Sequence, residues 1–214
     1  MAAALPRVYP ILDSESLARR GISLVTCAAA FLEGGAAILQ IRHKGQWDRA
    51  FFEQAKPVAG LARQAGAALI VNDRADFALL LDAGLHVGQE DLEPRDARRL
   101  LGPDAEIGYS SHGGAQLVAA AAEPVDYVAI GPIFATASKH DPDPAVGVDE
   151  VRRSRPLLAL PLVAIGGITL ENALDVLRAG ADSVAVIAGL LPDPTTPQAL
   201  RQRMEEWQRM VRAV

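Results

Sequence analysis

Three observations predict that this chain folds as a single (β/α)8 TIM barrel, an α/β domain over residues 1–214. Short apolar runs alternate with helix-period segments, which implies parallel βαβ units. Eight such pairs follow one another with no long linker or domain-sized insertion, which favours closure over an open doubly wound sheet. Half the residues are apolar but only 5% are aromatic, so the interior must be Ala, Val, Leu and Ile, side chains that suit closely packed parallel strands.

The apolar runs stand at 8–12, 37–41, 68–71, 85–87, 106–109, 127–130, 162–165 and 183–187. The helix-period segments between and after them cover 17–33, 48–64, 76–82, 94–101, 114–122, 148–158, 170–179 and 197–213. Gly34 with Gly35, and Gly66, Gly84, Gly102 and Gly180, each follow a helix segment and precede a strand, where left-handed caps are expected. The segment at 139–147, KHDPDPAVG, fits neither period and follows the sixth strand, so it is a candidate lid or a plain surface loop.

Composition excludes several classes. The formal net charge is −5 with acids and bases interspersed, which argues against nucleic acid as a partner while leaving room for a local anion site. Cys27 is the sole cysteine, so there is no disulfide framework, and a reduced, cytoplasmic setting is expected. Its neighbours Val25, Ala28, Ala29 and Ala30 predict a buried, inert thiol. Residues 1–12 lack the basic lead and apolar core of a secretory signal, and Glu33, Gly34 and Gly35 break the apolar stretch 22–39, so no membrane association is expected. A homo-oligomer is compatible with the sequence but not demanded by it.

Barrel chemistry gathers at the C-terminal ends of the strands. After the second strand, alternation places Gln40, Arg42 and Lys44 on one face and Ile41 and His43 on the other. If Ile41 packs outward, two cations enter the mouth, where an anion must offset them; Arg forks onto phosphate oxygens and Lys adds a point charge. The third and fourth strands end in Asn72-Asp73 and Gln89-Glu90-Asp91, bringing two carboxylates to one rim, a number that suits Mg2+ completed by water and phosphate oxygens. The plainer reading of each acid is a helix cap.

The remaining ends are polar too. Ser110, Ser111 and His112 follow the fifth strand, with Ser110 a hydrogen-bonding candidate and His112 either a proton shuttle or a cap. His86 lies within a strand and reads as a satisfied core or rim histidine, and no hydrolase triad is visible. Thr136, Ser138 and Lys139 follow the sixth strand as a second anion site. Gly166 and Gly167 after the seventh strand, and Ile187 to Gly189 after the eighth, occupy the usual phosphate grip of this fold.

Read together, QIRHK at 40–44, VNDRADFALLLDAGLHVGQEDL at 71–92, IGYSSH at 107–112, DYVAIGPIFATASK at 126–139, VAIGGI at 163–168 and GADSVAVIAG at 180–189 closely resemble the thiamine phosphate synthase family. The resemblance implies a transferase that joins 4-amino-5-hydroxymethyl-2-methylpyrimidine diphosphate to a thiazole phosphate, releasing diphosphate. It implies that Gln40, Arg42 and Lys44 hold the diphosphate with Lys139, that Asn72 contacts the pyrimidine substrate, and that Ser110 contacts the pyrimidine substrate and its diphosphate. It assigns Asp73 and Asp91 to Mg2+, and Arg42, Lys44, Ser110 and Lys139 to catalysis. Thr136, Ser138, Gly166, Gly167 and the Ile187–Ala188 backbone would take the thiazole phosphate. Ser138 stands where the family usually has Thr, Ala135 where it often has Pro, and Ala188 where it often has Ser.

The implied reaction is dissociative and needs no protein nucleophile. A thiazole tautomerase relative on the same barrel would rely on His112 and typically lacks both carboxylates. A non-catalytic phosphate-binding barrel would need a partner surface. Asp73, Asp91, Arg42 and Lys44 together favour the synthase.

Overall fold

The computed structural model describes residues 5–136 and 144–213. Its strands are β1 (Val8–Asp13), β2 (Ile38–Arg42), β3 (Ala68–Asn72), β4 (Gly84–Val87), β5 (Ile107–Ser111), β6 (Tyr127–Ile130), β7 (Leu162–Ile165) and β8 (Ser183–Val186). All neighbours are parallel, and β8 pairs back onto β1, closing the barrel in sequence order. The helices are α1 (Ser14–Arg19), α2 (Leu24–Glu33), α3 (Arg49–Ala65), α4 (Ala75–Leu81), α5 (Pro94–Leu101), α6 (Gly114–Ala120), α7 (Val148–Ser154), α8 (Ala173–Arg178) and α9 (Pro197–Val211). The expected barrel class is the observed one, and no helix among the described residues is long and apolar enough to cross a membrane.

Strand alternation sorts the apolar residues into two layers. Tyr9, Ile11, Ile38, Ile70, Tyr127, Ala129, Val163 and Ala185 form a small cluster of strand residues inside the barrel. Val8, Leu12, Leu39, Ile41, Val71 and their counterparts join the helices in the larger outer layer. Cys27 belongs to that outer layer, fully buried, and burial pushes its thiol pKa up, as an inert cysteine requires.

The first helix departs from expectation. The segment at 17–33 is two helices, because Gly21 takes a left-handed turn at φ +66° and Ser23 then caps α2, its hydroxyl accepting from Thr26 N–H. The earlier start is explained by Asp13, whose carboxylate caps α1 at Ser16 N–H. The expected left-handed cap at Gly84 is also corrected: Asp82 takes that conformation, at φ +54°. Gly84 serves space instead, since a Cβ there would lie 2.5 Å from both the Glu106 carbonyl oxygen and Ile70 Cδ1. In the other cap pair, Gly35 turns left-handed and Gly34 does not; a Cβ on Gly34 would lie 2.7 Å from Met204 Cβ.

A repeated clamp ties the lower ends of the strands. Asp126 accepts from the N–H of Ile107 and from Arg98, and Asp182 accepts from the N–H of Leu162 and from Arg155. Each acid precedes a strand, caps the start of the strand before it and captures an arginine on the outside. The chain is sealed by α9, which buries Met204 and Trp207 completely against α2 and the β8 end, with Trp207 Nε1 donating to Gly189 O at 3.2 Å. Met204→Ala should therefore cost about 2–5 kcal/mol, measured as a lower urea midpoint at unchanged slope.

Candidate active site

A cavity of about 420 Å³ opens at the C-terminal ends of the strands. Gln40, Arg42, Lys44, Asn72, Asp73, Asp91, Ser110, Thr136, Gly166, Gly167, Ile187 and Ala188 all line it, so every described residue singled out from sequence meets in one space. Ser138 and Lys139 lie outside the described residues, as does most of the candidate lid. The described end of that segment is tied down: Val146 and Gly147 donate to the carbonyls of Pro132 and Ile133.

Alternation along β2 works as expected. Ile41 is buried in the outer layer, and His43 turns outward, stacked on Phe51 and hydrogen-bonded to Ser14. Gln40, Arg42 and Lys44 face the cavity. The offset for the two cations differs from expectation, since the protein supplies it. Arg42 pairs with the buried carboxylate of Asp13, and Lys44 pairs with Asp73. Asp13 was not anticipated; the signal was present in the register, where Asp13 on β1 stands opposite Arg42 on β2.

Neither rim acid is a helix cap. Glu93 occupies the cap position of α5 and Arg74 that of α4. Asp91 instead accepts from the Gly88 N–H at 2.7 Å, folding its carboxylate back over the β4 end. Asp73 holds φ +65°, a left-handed conformation uncommon outside glycine, with its N–H bonded to His86 O. Burial raises the pKa of Asp91, and the neighbouring Asp73 carboxylate raises it further, against the lowering effect of the Gly88 N–H. A second carboxylate beside an acid whose charge is disfavoured is a donor set a divalent cation would relieve. No group of three or more His, Cys, Asp or Glu able to hold a metal exists among the described residues, so such an ion would complete its shell from water and substrate oxygens.

The opposite wall is backbone. Gly166 and Gly167 have φ +101° and +64°, and a Cβ on either would lie within 2.6 Å of the β6 loop, at Pro132 or Ala135. Ile133 and Phe134 donate to the carbonyls of Ile165 and Gly166, so the ends of β6 and β7 form one ledge. His112 sits between the two walls; its Nδ1 lies 2.9 Å from Gly131 O, which fixes the ring proton on that nitrogen because a carbonyl only accepts. Tyr9 and His86, which were not assigned to the site beforehand, line the cavity floor.

Cations, carboxylates and a glycine ledge at the C-terminal mouth of a parallel barrel define a class: barrel enzymes that handle small phosphorylated substrates. The chain belongs to the thiamine monophosphate synthase family, whose model matches residues 8–190. It is 46% identical over 206 residues to a thiamine-phosphate synthase of Koribacter versatilis, covering 95% of this chain and 94% of that protein. A thiamine-phosphate synthase of Chlorobium phaeovibrioides is 45% identical, with 96% and 98% covered. Among solved structures, thiamine phosphate pyrophosphorylase from Pyrococcus furiosus superimposes with a TM-score of 0.83 at 31% identity, covering 97% of this chain and 96% of that one.

The backbone at Asp73 gives a test that separates fold from charge. Asn tolerates the left-handed region, so Asp73→Asn should unfold within about 0.5 kcal/mol of the parent. Asp73→Val, β-branched at the same φ, should lose about 1–2 kcal/mol in urea titration.

Proposed function

We propose that the chain works as a thiamine phosphate synthase, a transferase acting as one catalytic domain over residues 1–214. It would join 4-amino-5-hydroxymethyl-2-methylpyrimidine diphosphate to a thiazole phosphate and release diphosphate. The observation that carries the reading is the placement of Arg42, Lys44, Asp73 and Asp91 in one cavity, with Arg42 backed by the buried Asp13 and Lys44 paired with Asp73. The rim pair can exchange partners: Lys44 turns to a diphosphate while Asp73 is left, with Asp91, for a cation.

In this reading the methylene C–O bond of the pyrimidine substrate breaks with its electron pair leaving on diphosphate, and the thiazole nitrogen lone pair forms the new C–N bond. Gln40, Arg42, Lys44 and Lys139 hold the diphosphate and offset its growing charge. Asn72 and Ser110 orient the pyrimidine end. Mg2+, which Asp73 and Asp91 would hold, supplies further charge neutralisation when bound. Thr136, Ser138, Gly166, Gly167, Ile187 and Ala188 hold the thiazole phosphate, placing the nucleophilic nitrogen in line. With Ala188 in place of Ser, that contact falls to the backbone N–H. A reduced thiol and small phosphorylated substrates suit a cytoplasmic enzyme without nucleic-acid or membrane partners.

The parent should release diphosphate only when both substrates and Mg2+ are present. Asp73→Ala and Asp91→Ala should each lower kcat/KM by about 10²-fold or more. Variants that turn over like the parent would remove the metal assignment. A parent that isomerises the thiazole phosphate without releasing diphosphate would overturn the synthase reading.

A further inference from the structure

A chain of hydrogen bonds crosses the cavity floor, and the roles given to the rim residues do not account for it. Gln40 Nε2 donates to Tyr9 OH over 3.0 Å, and Tyr9 OH lies 2.9 Å from Tyr127 OH. Tyr127 OH lies 3.1 Å from His86 Nδ1, and His86 Nε2 lies 2.8 Å from Ser110 Oγ. The five side chains come from β2, β1, β6, β4 and β5, so the chain spans the barrel instead of following one strand.

Counting donors gives the chain a direction. Tyr9 accepts from the Gln40 amide on one lone pair, and its single hydroxyl hydrogen is available to Tyr127. Tyr127 then donates to His86 Nδ1, which places the proton of a neutral imidazole on Nε2. That N–H donates to Ser110 Oγ, and the hydrogen of Ser110 itself is left for the cavity it lines.

The floor is built to hold these hydroxyls. Both tyrosines are fully buried, and desolvation pushes both hydroxyl pKa values up, so they stay neutral donors. The Tyr127 ring stacks on His86 at 5.6 Å and 19°, and it fits only because residue 108 is glycine. A Cβ on Gly108 would lie 2.1 Å from Tyr127 Cζ. Phe or Leu would fill the same volume without burying a polar group, so filling the barrel does not by itself explain two hydroxyls.

We propose that Tyr9, Tyr127 and His86 are positioning residues whose directed hydrogen-bond chain holds Ser110 as a donor toward the oxygen that departs with the diphosphate. The inference rests on the synthase reading above. None of the three touches a reacting atom; each acts through Ser110. The departing oxygen gains charge as the C–O bond opens, so a donor fixed there favours the transition state over the bound substrate. With a link removed, the Ser110 hydrogen can turn back toward His86, and the donor is lost for part of the time.

The test is a double-mutant cycle of Tyr127→Phe with Ser110→Ala, reading kcat and KM for the pyrimidine diphosphate. Tyr127→Phe alone should lower kcat about tenfold, with KM within about twofold of the parent. In the Ser110→Ala background the same change should cost less than about twofold, because the donor it positions is already gone. Equal losses in both backgrounds would show that Tyr127 acts on floor packing and would overturn the relay. If Tyr127→Phe does not fold, Tyr9→Phe removes a different link and goes through the same cycle. A parent inactive with both substrates would sink the synthase reading, whereas an active parent with an additive cycle would sink the relay alone.

Discussion

A closed parallel barrel must fill its interior with whatever side chains its eight strands turn inward, and this requirement governs the rest of the molecule. Here the middle is filled by Tyr9 and Tyr127, set edge to face with centroids 6.0 Å apart. Room for them is made by small neighbours: a Cβ on Gly108 would collide with Tyr127, and Ala129 and Ala185 pack in the same inner cluster. The rings stop partway up, and the inward positions above them at the ends of β1, β2, β3 and β5 are polar: Asp13, Arg42, Asn72 and Ser110. The height of the tyrosine plug therefore decides how deep the cavity is and which residues become its walls.

Above the plug the governing problem is charge. Arg42 and Asp13 are both largely shielded from water, and either alone at that depth would be costly. Lys44 and Asp73 solve a milder version at the rim, where Lys44 is about half exposed. Among the described residues Asp91 forms no ion pair, and burial raises its proton affinity against the lowering effect of the Gly88 N–H.

Much of this was legible in the sequence because it follows from period. The eight strands, the outward Ile41 and the inward Gln40, Arg42 and Lys44 all follow from alternation, and the barrel follows from eight βα pairs in a row. Features set by three-dimensional proximity were hidden. Gly84 looked like a cap when it is a gap for Ile70, and a lone Gly21 inside a helix-period segment gave little sign of the break there. The pairing of Asp13 with Arg42 needs strand register, and the contact of His86 with Tyr127 needs two strands, β4 and β6, brought to either side of β5. Periodicity reports which way a side chain points, but not what it meets there.

The scarce large rings show where rigidity is needed. Of the chain's five Phe and two Trp residues, Phe51, Phe52, Phe77 and Trp47 stand in one cluster outside the Lys44–Asp73 side of the mouth. His43 stacks on Phe51 at 3.9 Å, Trp47 Nε1 donates to His43 O, and Arg74 lies over the Phe77 ring at 4.7 Å. His43 immediately precedes Lys44, and Arg74 immediately follows Asp73, so one aromatic wedge braces the backbone on either side of the Lys44–Asp73 pair. That brace also holds Asp73 in its left-handed conformation, which an unsupported loop would relax. The facing ledge reaches rigidity by the opposite means, glycines packed too tightly against the β6 loop to admit a side chain. A site that must hold a charged leaving group and a nucleophile in line gains from both, because rings fix side chains and glycine brings the backbone itself within reach.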